Sequence, residues 1–264
     1  NKPFTGVVIQ KSGDVETMRF TVEDGVVQGD WVEKLTTGNL RYTVTLKDGE
    51  KVGDEKNFCE DGKGIRVLSV NAQDQLTVNR YDCATGIQLS ESTSKRNASK
   101  LWMDVGTSRT WTVRDGKQVP VTVENHTTDG SGKLDGIQEH YFQTGQLQRR
   151  NVYKNGQMDG EQETYVLYES GDHLRSELEK YVNGKQTERI TYFTNKPWPE
   201  GTISSRYVYD QSEYPTPALT ENYSEDGVTV TTSQGAYPQS GAQKGLYNAI
   251  SALRGRTPSP EQVA

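Results

Sequence analysis

Residues 136–160 read Gly136-Ile137-Gln138-Glu139-His140-Tyr141-Phe142-Gln143-Thr144-Gly145-Gln146-Leu147, then Gln148-Arg149-Arg150-Asn151-Val152-Tyr153-Lys154-Asn155-Gly156-Gln157-Met158-Asp159-Gly160. Two short runs, each carrying aromatic residues, end in Thr144-Gly145 and Asn155-Gly156. A tight two-residue hairpin turn requires positive φ, so Asn-Gly between extended runs is a strong hairpin signal. The stretch therefore reads as one β-hairpin unit.

The unit recurs. Gly6, Gly29 and Gly53 stand 23 and 24 residues apart, and Gly136 and Gly160 stand 24 apart. The first turns align as Ser12-Gly13-Asp14, Thr37-Gly38-Asn39 and Thr144-Gly145-Gln146. The second turns align as Asp24-Gly25, Asp48-Gly49, Asn155-Gly156 and Asn183-Gly184. Scattered loop glycines would not keep two phases at once, so the period predicts a repeat architecture. The expected fold is all-β: an extended sheet of antiparallel hairpins. Leu246, Ile250 and Leu253 recur at helical spacing near the end, which predicts a short C-terminal capping helix over the exposed end of the sheet.

Composition fits a sheet wetted by solvent. Only 31% of the chain is hydrophobic and its mean hydropathy is −0.83, which would suggest disorder but for the regular turns and 14 tyrosines. The net charge of −6 is mild and its signs are interspersed, which argues against nucleic acid as a partner. No run is long and apolar enough to span a membrane as a helix.

Phe4-Thr5-Gly6, the Gly-x-Leu turns, the Asp/Asn-Gly turns and Met158-Asp159-Gly160 resemble the MORN-type repeat, in its bacterial toxin–antitoxin variant. The resemblance covers residues 3–60 and 133–190 and is degenerate elsewhere. It implies an immunity or antitoxin protein that binds a cognate secreted toxin, such as a phospholipase effector of a type VI system, and blocks it stoichiometrically. It also implies residence in the periplasm or cell envelope, with membrane contact only through a removed lipid anchor. A second class is an envelope-associated scaffold that binds another protein or a lipid surface. The chain begins at Asn1, which fits either a cleaved export signal or a trimmed chain.

Along the chain, residues 1–90 read as a first hairpin array and 101–242 as a second. The polar stretch from Glu91 to Lys100 reads as a linker between them, residues 195–217 as an irregular insertion, and 243–264 as helix and tail. Cys59 and Cys83 lie 24 residues apart, one period. A disulfide is the expected state, with free thiols as the alternative. Equivalent positions in successive hairpins are about 9–10 Å apart, whereas a disulfide needs Cα atoms within about 7 Å. A bond thus requires the repeat to break here, and Asp61-Gly62-Lys63-Gly64 suggests where.

No enzymatic constellation emerges. His126, His140 and His173 lack metal-ligand spacing, no serine sits in a Gly-x-Ser-x-Gly elbow, and no phosphate-binding glycine loop exists. Glu161 and Glu163 share a strand face, as solvated carboxylates commonly do. The chain is therefore read as a non-enzyme without metal or cofactor. Its best lead is aromatic: Trp198, Tyr207, Tyr209 and Tyr214 cluster where the repeat is interrupted, and such residues anchor protein interfaces.

Overall fold

The computed structural model describes residues 2–72, 75–194, 200–209, 217–223 and 230–234. The first half forms β1 (Gly6–Ser12), β2 (Val15–Glu23), β3 (Val26–Lys34), β4 (Leu40–Lys47), β5 (Glu50–Phe58), β6 (Ile65–Ala72), β7 (Gln75–Tyr81), β8 (Gln88–Arg96), β9 (Trp102–Asp104) and β10 (Gly106–Arg114). The second half forms β11 (Lys117–His126), β12 (Gly136–Tyr141), β13 (Leu147–Lys154), β14 (Gln157–Met158), β15 (Gly160–Leu167), β16 (His173–Val182), β17 (Lys185–Tyr192), β18 (Ile203–Tyr209), β19 (Pro217–Tyr223) and β20 (Val230–Gln234).

All belong to one open antiparallel sheet in which sequence neighbours pair. The short β9 and β14 are side branches: β8 pairs with both β9 and β10, and β13 with both β14 and β15. Every substantial contact between strands joins neighbours in this ladder, so among the described residues no second layer covers either face. The buried apolar residues, Val22, Val44, Cys59, Val105, Leu178 and Leu219, are spread along the ladder instead of gathered in one core. The all-β hairpin sheet is as the turns predict. The expected C-terminal helix lies outside the described residues.

With so little apolar burial, order comes from the backbone and its punctuation. Along one edge of the sheet, Asp24-Gly25, Asp48-Gly49, Asn155-Gly156 and Asn183-Gly184 hold both residues at positive φ, the conformation that a type I′ turn demands. Along the other edge, loops 35–39, 142–146 and 168–172 close when the first residue's N–H bonds the last residue's carbonyl, at 2.8, 2.8 and 3.0 Å. Gly38, Gly145 and Gly171 then donate back to the first residue's carbonyl.

Successive hairpins are also stapled to one another, and this explains the period. The Gly25, Gly49, Gly156 and Gly184 N–H groups bond the carbonyls of Phe4, Val27, Leu134 and Met158, each in the hairpin before. Beside each of these, a side chain just ahead of a period-marking glycine accepts from the same turn. Thr5 accepts the Asp24 N–H, Gln28 that of Asp48, Asp135 that of Asn155 and Asp159 that of Asn183, at 2.9–3.1 Å. The repeat length is therefore the chain needed to leave one staple and return at the next.

Two turn substitutions test this frame. Gly145 has φ +88° and an added Cβ would meet Val119 Cγ1 at 3.1 Å, while Gly156 has φ +86°. Gly145→Val and Gly156→Val should each cost about 1–2 kcal/mol in denaturant unfolding. Gly64→Ala is the control, because its backbone is not left-handed and the new Cβ meets only Cys59 Sγ, at 3.5 Å. Two turn variants that unfold like the control would remove the turn assignment.

The expected linker from Glu91 to Lys100 is corrected. Residues 91–96 belong to β8, which pairs with β7 along its length and joins the two expected arrays through Arg109↔Glu91 and Thr110↔Ser90. Small polar side chains suit this one-layer sheet, since they pair across strands: Thr77 with Thr93 at 3.2 Å, and Ser94 with Asp104 at 2.8 Å.

Candidate binding surface

Among the described residues the sheet is one layer with two broad faces, and alternation along β12 to β19 sorts side chains between them. One face carries a ladder of alternating charges. Arg150 lies between Glu139 (3.9 Å) and Glu163 (3.7 Å), and Glu163 also holds Arg175 at 3.0 Å. Lys180 bridges Glu161 (3.8 Å) and Glu188 (3.0 Å), and Arg206 joins Glu188 to Glu221. Each exposed pair adds little, about 0–1 kcal/mol, but the shared partners fix where each head group sits. Burial pushes the Glu188 carboxyl up, yet Arg206 and Lys180 outweigh it and hold it below the usual carboxylate range. Glu161 and Glu163, the acids sharing a strand face, are thus both engaged in ion pairs.

The opposite face carries a cluster of tyrosines around an arginine. Register places Arg189 opposite Tyr207, with the guanidinium 5.9 Å from the ring centroid, and Glu177 pairs with the same guanidinium from the neighbouring strand. Hydrogen bonding to Glu177 holds Arg189 above its usual range. Strand alternation returns Tyr209 to the face of Tyr207. Burial pushes the Tyr209 phenol up, with Arg189 opposing, and burial also raises Tyr181, to which Glu179 and Tyr209 add. Tyr181, Arg189, Tyr207 and Tyr209 are half-buried, and among the described residues no other element is laid over them.

Of the four expected anchors, Tyr207 and Tyr209 are brought together, while Trp198 and Tyr214 lie outside the described residues. Tyr181 and Arg189 complete the cluster and were missed. Both come from the preceding hairpin: the pairing of Arg189 with Tyr207 reveals the first, and the pairing of β16 with β17 the second.

Cys59 and Cys83 are bonded, with Cα atoms 5.8 Å apart. The distance objection is resolved by an offset of one residue. Cys59 closes its loop by donating to the Gly64 carbonyl, and the residue that does the same one hairpin later is Asp82, which donates to Ile87. Cys83 is one position further on, outside the ladder. There Asp82 Oδ1 accepts from the Ala84 N–H and from the N–H and hydroxyl of Thr85, curling the loop. The chain at Cys83 is thereby free to cross the end of β6 towards Cys59.

Among the histidines, His173 stacks on Tyr165 at 4.9 Å and contacts the Leu147 carbonyl through Nε2 at 2.6 Å, a packing role. Among the described residues no group of three or more His, Cys, Asp or Glu side chains is placed to hold a metal.

No family model matches this chain, and no curated protein matches it. Among solved structures 32 chains match. One, in a crystal structure of TcdB2-TccC3-TEV, is 10% identical, with the match covering 83% of this chain and 16% of that one at a TM-score of 0.18. This chain thus spans only a small part of that one, and likeness at this level carries no argument.

Proposed function

We propose that the chain is an immunity or antitoxin protein that binds a secreted bacterial toxin and blocks it by occupying a surface. The observation carrying this reading is the cluster of Tyr181, Arg189, Tyr207 and Tyr209, over which no second layer lies among the described residues. Tyrosine and arginine are enriched where protein interfaces concentrate their energy. Here their positions are preset by the ladder and by Glu177, so little side-chain freedom is lost on docking. The resemblance to bacterial toxin–antitoxin repeats supplies the toxin as partner. The Cys59–Cys83 bond suits an oxidising compartment, in keeping with a periplasmic or envelope site of action.

The test begins with crosslinking in the native cells to identify the toxin, followed by affinity measurement. Tyr207→Ala/Tyr209→Ala should raise Kd at least fivefold, equivalent to about 1 kcal/mol. An unchanged Kd would move the interface elsewhere on the sheet. Strong binding to liposomes with no protein partner would replace the toxin reading with the envelope scaffold.

A further inference from the structure

Most arginines described on this sheet have a partner. Arg19, Arg109, Arg150, Arg175, Arg189 and Arg206 each pair with a glutamate, Arg149 bonds Asn151 and Arg96 lies over Trp102. Arg41, Arg66 and Arg80 are different, and so is Arg114 at the end of β10; the first three share one place. None makes a side-chain hydrogen bond or ion pair among the described residues, and all three line one depression of about 850 Å³ beside the disulfide. Phe58 and Tyr81 contribute apolar wall, and Glu60 is the carboxylate on its rim.

The fold gathers these arginines by a repeated irregularity. Between β3 and β4 the register passes from Glu33↔Tyr42 to Lys34↔Leu40, leaving Arg41 unopposed. Between β5 and β6 it passes from Asn57↔Val67 to Phe58↔Ile65, leaving Arg66 unopposed. A bulge re-aims the extra side chain, so two consecutive hairpins turn an arginine into the same depression. Arg80 stands opposite Val67, next to Arg66 and one strand away. With strands about 4.8 Å apart, Arg66 and Arg80 can converge on one anionic group, and Arg41, two strands from Arg66, reaches a second. The Cys59–Cys83 bond ties the ends of β5 and β7 around the strand that carries Arg66. It holds the array in shape without a ligand.

Three guanidinium groups with no ion-pair partner among the described residues thus share one depression, in a chain whose net charge is −6. Guanidinium forks match phosphate and sulfate oxygens in pairs. We propose that Arg41, Arg66 and Arg80 form a binding site for a ligand bearing two or more phosphate or sulfate groups. The site is remote in sequence from the tyrosine cluster and stands whether or not that cluster binds a toxin.

The experiment is calorimetric titration at low ionic strength with orthophosphate, pyrophosphate and tripolyphosphate. A parallel arm uses phosphatidylcholine vesicles with and without phosphatidic acid, to distinguish a free ligand from a lipid headgroup. Tripolyphosphate should bind at one site and more tightly than orthophosphate. Arg66→Gln/Arg80→Gln should weaken it at least tenfold and Arg41→Gln less, while Arg175→Gln, far along the ladder on β16, should leave it unchanged. Saturable binding confined to the phosphatidic acid vesicles, lost in Arg66→Gln/Arg80→Gln, assigns the same site to a headgroup. No saturable binding in either arm, or equal loss in Arg175→Gln, overturns the proposal. Circular dichroism and melting of each variant confirm that the sheet is intact, and a variant that fails to fold is replaced by the lysine substitution at that position.

Discussion

Cys59→Ala/Cys83→Ala is expected to lower unfolding stability by about 3.4 kcal/mol, the loop-closure value for a ring of this size. The bond spans 24 residues, which hold β6, β7 and the loop at Cys83. A packed globular core would buffer such a loss, because other contacts would hold the same strands. Here, among the described residues, every substantial strand contact is with a ladder neighbour, so the bond is the one cross-link between β5 and the loop after β7. Cys59 is also among the few buried apolar residues, at 4% exposure. Denaturant unfolding of the oxidised parent against the double variant measures the effect, and hydrogen exchange locates it. The amides of β6 and β7 should open at lower free energy while those of β15 and β16 keep theirs. Equal stability of the two proteins would mean that the ladder alone holds this region.

Gln162→Leu is expected to cost about 2–3 kcal/mol, through a backbone group left without a partner. β13 pairs first with β14 and then with β15, and between them the ladder is interrupted around Val152. Gly160, at φ +106°, turns the chain there, and Gln162 fills the gap. Its side-chain carbonyl accepts the Val152 N–H at 2.8 Å and its amide donates to the Val152 carbonyl at 3.0 Å. The carboxamide thus stands in for a peptide group. Leucine keeps the volume and removes both bonds. The Val152 carbonyl still receives the Asp159 N–H, at 3.0 Å, but the Val152 N–H loses its acceptor. Gln138 does the same for Asn125 one hairpin earlier, so Gln138→Leu should behave alike. If both variants unfold like the parent, water satisfies these groups and the carboxamide bridge contributes nothing.

These devices mark the division between what the sequence discloses and what it hides. Turns are local, so Asn155-Gly156 and Asn183-Gly184 announce their backbone directly, and a glycine recurring at 23 or 24 residues announces the hairpin repeat. Strand assignment from alternation needs one buried face, and this sheet has none. β8 is half-buried along Gln88–Ser94 without alternation, which is why its Ser- and Thr-rich end reads as a linker. Non-local register is equally hidden. The offset of one residue between Cys59 and Cys83 appears only when Asp82 is seen closing its loop as Cys59 does. In the candidate surface, Tyr207-Val208-Tyr209 is visible as a motif, but Arg189 and Tyr181 join it only through the pairing of β16, β17 and β18. The unopposed positions of Arg41 and Arg66 likewise exist only in the register.

The claim that function lies in occupying a partner's surface is tested most directly by titrating the cognate toxin's activity with this protein. Inhibition should be complete near one equivalent, shift in parallel with the Kd of Tyr207→Ala/Tyr209→Ala, and leave a toxin that regains full activity after separation. Inhibition by far less than one equivalent, or a toxin recovered cleaved or chemically modified, would contradict it.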